Sequence, residues 1–175
     1  MTEVSVAVLS GAVLDSQLDR LGSIMAATVS GGATIGYMQP FDEADGRGFF
    51  ETQVFPEVRA GRRLLLSASL DGRPVGTVQL ITALPPNQPH RSEVAKMMVA
   101  PEARRRGVGR ALLAAVETHA RAAGKTLITL DTRTGDAAEP LYRAAGYRTA
   151  GVIPGFALDA DGGGLHATTY MYKTL

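Results

Sequence analysis

The chain has 175 residues, no cysteine and a net charge of +1, with 45% hydrophobic and 20% charged residues. This describes one soluble globular domain over residues 1–175, large enough to bury a core without covalent staples. It excludes disulfides, thiolate nucleophiles and sulfur-ligated metals, offers no general basic surface for nucleic acid, and contains no apolar run near the roughly 20 residues of a membrane span.

The segment from Met1 to Leu9 carries Glu3 and no basic cluster before its short apolar stretch, so it reads as a first strand and not as a signal peptide. Leu14, Leu18, Leu21, Ile24, Met25 and Val29 recur at helical spacing, which predicts a helix over Asp15–Ser30 stopped by Gly31-Gly32. Phe41–Val58 is a second, less regular helical stretch, expected to be interrupted at Gly46 and Gly48 and broken around Pro56. Leu64–Leu70 and Pro74–Leu84 are β-rich and joined by Asp71-Gly72-Arg73, a hairpin signal. Pro85, Pro86 and Pro89 then mark a loop.

Arg91–Val99 reads as a strand, Pro101–Gly107 as a turn, and Val108–Ala123 as the clearest helix, with Val108, Leu112, Val116 and Ala120 on one stripe and Gly124 at its end. Thr126–Leu130 is an apolar strand and Ala137–Ala145 a short helix. Tyr147–Ile153 and Ala167–Lys173 are closing strands. The expected order is β, α, α, β-hairpin, β, α, β, α, β, β: a mixed α/β fold with helices on the faces of one sheet, and with parallel strands on either side of the long helix.

The informative stretch is Val99-Ala100-Pro101-Glu102-Ala103-Arg104-Arg105-Arg106-Gly107-Val108-Gly109-Arg110. A strand ends, a basic glycine-containing turn follows, and a helix begins. The first amides of a helix lack internal partners and the helix dipole favours negative charge there, so this is an anion site. Gly109 is followed by Arg110 and Ala111, which excludes a P-loop, and Leu112 stands where a dinucleotide fingerprint needs its third glycine. The histidines His90, His119 and His166 have no ligand spacing, and no metal is expected.

Arg104-x-x-Gly107-x-Gly109 after a strand resembles the acetyl-CoA motif of the GCN5-related N-acetyltransferases (GNAT). The segment Ala138-Glu139-Pro140-Leu141-Tyr142-Arg143-Ala144-Ala145-Gly146-Tyr147 resembles that family's second motif. The strings His90–Val99, Leu130-Asp131-Thr132 and Leu165-His166-Ala167-Thr168 are similar to the tabtoxin resistance group within it. The resemblance implies a mixed, mostly antiparallel twisted sheet of about seven strands flanked by about four helices. It also implies transfer of an acetyl group from acetyl-CoA to a primary amine of a small molecule, in an antibiotic- or toxin-resistance setting. Alternatives are a protein N-terminal or lysine acetyltransferase, and an acetyl-CoA-binding sensor without catalysis.

Residue by residue, the resemblance assigns catalysis to Glu93 and Asp131 as candidate bases and Tyr142 as the acid for the departing sulfur. Main-chain groups of Met98 and Val99 are expected to pair with the pantetheine arm. The turn Arg104, Arg105, Arg106, Gly107, Val108, Gly109 and Arg110 is expected to hold the pyrophosphate. Without cysteine, direct transfer in a ternary complex is the simpler course. His166, Tyr37 and Phe156 are minor pocket candidates. A cytoplasmic protein without nucleic-acid or membrane partners is expected; monomer or homodimer is left open.

Overall fold

The computed structural model describes residues 4–175; Met1, Thr2 and Glu3, at the start of the expected first strand, lie outside the described residues. The strands are β1 (Val4–Val8), β2 (Arg63–Leu70), β3 (Arg73–Ile81), β4 (Arg91–Val99), β5 (Leu127–Arg133), β6 (Arg148–Leu158) and β7 (Leu165–Thr174). The helices are α1 (Ala12–Ser30), α2 (Glu43–Phe49), α3 (Phe55–Arg59), α4 (Val108–Ala122) and α5 (Ala138–Ala144). A π-helical turn, Phe50–Val54, runs α2 directly into α3. The seven strands form one sheet in the order β1-β2-β3-β4-β5-β7-β6, antiparallel except for the β4–β5 pair.

Two-residue turn chemistry sets the β2–β3 hairpin, where Asp71 (φ 50°) and Gly72 (φ 77°) both take the left-handed conformation that twists with the strands. Alternation along β3 then assigns the sheet's faces. A Cβ on Gly76 would strike Val108 and Leu112, so from Gly76 onward the even positions of β3 face α4 and the odd ones face the α1–α3 side. On α4, Val108, Leu112, Leu113, Val116 and Ala120 are buried against the sheet. Each fully buried leucine of that stripe contributes about 1.5–3 kcal/mol.

On the opposite face, Gly46 and Gly48 lie inside α2 and do not interrupt it. A Cβ on Gly46 would come 2.5 Å from the Gly22 carbonyl oxygen, so this glycine lets α2 cross α1 at backbone contact distance. Pro56 stands in the first turn of α3, where a missing N–H costs nothing. The helical run therefore bends through a π turn at 50–54 instead of breaking at the proline. β6 runs to Leu158, beyond its expected end, through Pro154 and Gly155. As an edge strand it tolerates both, with a register shift between Ile153 and Ala157.

Candidate active site

The parallel strands β4 and β5 pair over only three positions, Arg91↔Leu127, Ser92↔Ile128 and Glu93↔Thr129. Beyond Glu93 they part. The cause lies in β4, where Lys96 takes a left-handed φ of 50° and the register against β3 shifts between Thr77 and Gln79. An extra residue in one strand bends it and sharpens its twist, which swings β4 away from β5. Ala100 N donates to Val75 O at 2.8 Å, across β3. By strand alternation, the main-chain groups of Met98 also face β3, whereas those of Val99 face the gap. The Met98 side chain is buried, and Arg104 Nε approaches the Val99 carbonyl at 3.4 Å.

The turn after β4 presents hydrogen-bond donors without acceptors. The first main-chain bond of α4 runs from Ala111 N to Gly107 O (3.0 Å). Among the described residues, the amides of Arg105, Arg106, Gly107, Val108, Gly109 and Arg110 have no main-chain acceptor. Arg105 (φ 61°) and Gly107 (φ 84°) both take left-handed backbone conformations, which point successive amides to one side. Glu102, the one carboxylate near the arginines in sequence, is bound by Arg20 at 2.9 Å. None of Arg104, Arg105, Arg106 and Arg110 has a carboxylate within ion-pair distance among the described residues. Such a turn can hold a diphosphate through fixed amides and add charge from the surrounding guanidinium groups. Gly109 serves a different purpose, since a Cβ there would meet Leu141 Cδ2 at 2.8 Å. Its missing side chain brings the start of α4 close to α5.

Across the gap, in-register pairing puts Glu93, Thr129 and Asp131 on the α1–α3 face. Glu93 receives a hydrogen bond from Arg91 at 3.3 Å, and the same guanidinium binds Thr129 Oγ1 at 2.5 Å and Gln88. The Thr168 hydroxyl lies 3.2 Å from Asp131 Oδ2 and 3.0 Å from the Thr132 carbonyl, between which its hydrogen is shared. Tyr142, on α5, is 6% exposed and packs edge-on against Tyr147 with ring centroids 5.8 Å apart. Burial pushes the Tyr142 phenol well above its ordinary pKa, and the negative charges of Asp131 and Asp136 add to the rise. This phenol therefore keeps its proton at neutral pH. Glu139 anchors the start of α5 by accepting from Gly135 N (2.8 Å) and Arg143 (2.6 Å), which hold its carboxyl below the usual range.

The minor candidates have other partners. His166 sits 3.1 Å from Asp159, which also binds Arg133 at 2.9 Å. Phe156 is exposed on β6 against Tyr170. Tyr37 packs on Phe41 and Phe49 and lies below Lys96 Nζ, 5.9 Å from its ring centroid. Lys96 itself was not singled out by sequence reasoning, nor were Arg63, Gln79, Arg91 and Thr168. A glycine would have flagged the left-handed position at 96; a lysine gives no such signal.

The fold has solved counterparts. A ribosomal-protein-alanine N-acetyltransferase from Brucella melitensis is similar over 98% of this chain and 99% of its own, at 23% identity and a TM-score of 0.79. Salmonella typhimurium yncA, solved with its cofactor acetyl-CoA, is similar over 98% and 94%, at 18% identity and a TM-score of 0.79. A protein provisionally assigned as a phosphinothricin N-acetyltransferase is similar over 99% of both chains, at 18% identity and a TM-score of 0.75. At these identities the likeness is one of fold. The sequence itself matches the acetyltransferase (GNAT) family over residues 34–147, from the loop after α1 through the gap, the turn and α5. With more than half of its length so matched, the chain belongs to the GNAT family of acetyltransferases.

Proposed function

We propose that this protein transfers an acetyl group from acetyl-CoA to a primary amine of a small molecule, by direct transfer in a ternary complex and within one domain, residues 1–175. The observation that carries this reading is the gap between β4 and β5, bounded by Glu93 and Asp131 and leading into a turn of unpartnered amides. The chemistry present fits the cofactor: donors without acceptors at the turn, among the described residues, suit a diphosphate, and the gap-facing edge of β4 at Val99, beside Met98, suits an extended amide-bearing arm. Arg104, Arg105, Arg106, Gly107, Val108, Gly109 and Arg110 would hold the charged end.

Acetyl-CoA, when bound, supplies an acyl thioester whose carbonyl carbon is electrophilic. The chain's own residues manage the protons. A free alkylamine, with a pKa near 10.4, is almost wholly protonated at neutral pH and cannot attack until it loses a proton. Glu93 and Asp131 face the gap from its two sides and are the candidate acceptors of that proton, directly or through water. As the new C–N bond forms and the C–S bond breaks, the Tyr142 hydroxyl delivers a proton to the departing sulfur. Among the described residues the Tyr142 hydroxyl has no hydrogen-bond partner, which leaves its proton available to a ligand. No cysteine is present to form an acetyl-enzyme.

The sequence likeness to the tabtoxin resistance group supports a small amine acceptor and a resistance role in the cytoplasm. The decisive experiment measures CoA release from acetyl-CoA with a panel of small amines, amino acids and peptides. Turnover with small amines supports the reading. Turnover with peptides alone would make it a protein acetyltransferase, and acetyl-CoA binding without turnover would make it a sensor.

A further inference from the structure

A charge that leaves water is stabilised by a counter-charge, and a partly buried cation normally faces a carboxylate. Arg20, Arg91, Arg133 and Lys173 follow this rule, meeting Glu102, Glu93, Asp159 and Glu117. Lys125 is instead satisfied by two carbonyls, of Thr82 at 3.0 Å and Pro89 at 2.8 Å. Lys96 and Arg63 are half-buried and have no carboxylate within ion-pair distance among the described residues.

Both have neutral partners. Lys96 Nζ donates to the Ile35 carbonyl at 2.6 Å, which uses one of its three hydrogens. Arg63 donates to the amide oxygen of Gln79, and its Nε is buried without an acceptor. Gln79 is fully buried and its amide nitrogen also lacks an acceptor. These sealed nitrogens do not reach a ligand themselves. They do show that this patch holds more donors than acceptors, so its potential is positive. Of the carboxylates whose charge reaches these two cations, Glu57 is paired with Arg62 and Glu93 with Arg91, while Asp131 acts on Lys96 from beyond ion-pair distance. Burial lowers the pKa of Lys96, opposed by Asp131 and reinforced by Arg63, and it lowers that of Arg63 against Glu57 and Glu93.

The two cations share the face that carries the candidate bases. Arg63, Ile81 and Glu93 form one row across β2, β3 and β4, and Leu65, Gln79 and Ala95 form the next. Arg63 and Glu93 are thus two strands apart, roughly 10 Å between backbones. Lys96 follows Glu93 by three residues on the bulge. The diphosphate turn begins only after β4 has ended, so this positive patch is separate from it.

We propose that Lys96 and Arg63 form an anion subsite in the acceptor cleft, and that the acceptor is an amine carrying a free carboxylate, an amino-acid-type molecule whose ammonium end lies toward Glu93 and Asp131. This rests on the acetyltransferase reading above and names its substrate class. Lys96 also ties the loop at Ile35 to the strand, so the same contact that shapes the acceptor wall would sense the acceptor's carboxylate.

The test compares matched acceptors: free amino acids, with α-amines and with ω-amines of graded length, against their methyl esters and decarboxylated amines, followed by CoA release. The wild-type protein should favour the free acid by about tenfold or more in kcat/KM, as expected for hydrogen bonds between charged groups. Lys96→Gln keeps a donor for Ile35 but should erase most of that preference, chiefly through KM. Lys96→Arg should retain it, and Arg63→Gln should reduce it by a smaller factor. Thermal melts of each variant establish that it is folded. Equal or better turnover of esters by the wild type overturns the subsite and leaves the acetyltransferase reading standing. Loss of acid and ester activity alike in folded Lys96→Gln, with no change in their ratio, overturns it too, because Lys96 would then be a strut. If no amine in either form is turned over while acetyl-CoA binds, the acetyltransferase reading fails and the subsite fails with it.

Discussion

The turn at 104–110 and the cleft floor around Glu93 and Lys96 both depend on β4, yet they handle charge by opposite means. The turn offers main-chain hydrogens, which every residue except proline possesses, and its sequence acts through backbone conformation at Arg105 and Gly107. The floor offers side chains, set in rows by sheet register, and there, on the proposed reading, the identity of each residue would carry the chemistry. A single β-bulge at Lys96 connects the two, because bending β4 exposes the Val99 edge and separates Glu93 from Asp131 across a gap. Substitutions that remove side chains should therefore be severe on the floor and mild at the turn, while substitutions that disturb the backbone should reverse that order.

The largest effect should come from the floor. Glu93→Gln is expected to lower kcat/KM about 100-fold near neutral pH, within the range of general-base catalysis. The sign with pH follows from the acceptor. As pH rises toward the amine's pKa near 10.4, the amine is already neutral and the deficit should shrink. A pH–rate profile measures this, and a deficit that stays constant with pH would leave Glu93 attracting the ammonium without taking its proton. Tyr142→Phe should follow, lowering kcat by about 10-fold or more with KM little changed. Because burial raises the Tyr142 pKa above that of a free phenol, its proton is retained through about pH 10. The wild-type profile should therefore show no alkaline loss from this residue below that point.

At the turn, a backbone change should exceed a side-chain change. Gly107→Ala adds a Cβ that touches nothing within 4 Å, so its only consequence is strain at φ 84°. Left-handed strain of about 1–2 kcal/mol should weaken CoA binding by roughly tenfold. Arg105→Gly relaxes the same loop and removes a guanidinium, and should change CoA affinity by no more than about threefold, since exposed charges contribute little individually. Calorimetric titration of both variants compares them directly; equal losses would erase the distinction between the two regions.

Legibility in the sequence follows the same division. The stripe on α4, the Asp71-Gly72 turn and the strand leading into the arginine-rich turn each announce themselves through local periodicity or turn chemistry. Gly46 and Gly48 misled because glycine has two uses: at Gly46 it makes room for the Gly22 backbone of α1, a tertiary contact that no local pattern reveals. β6 extended past its expected end because an edge strand can absorb Pro154 and Gly155. Glu93, Asp131 and Tyr142 are candidates through family resemblance, not through any local pattern. Lys96 and Arg63 are not, since their unusual feature is the absence of a carboxylate partner among the described residues, which only the folded arrangement defines.

The central claim, that the amides entering α4 receive the diphosphate of acetyl-CoA, is tested most directly by following backbone amide resonances of isotope-labelled protein during titration with CoA. The account predicts that the amides of Arg105 through Arg110 shift together and saturably, with Val99 moving alongside them. Saturable binding that leaves those amides unmoved, or no binding at all, would contradict it.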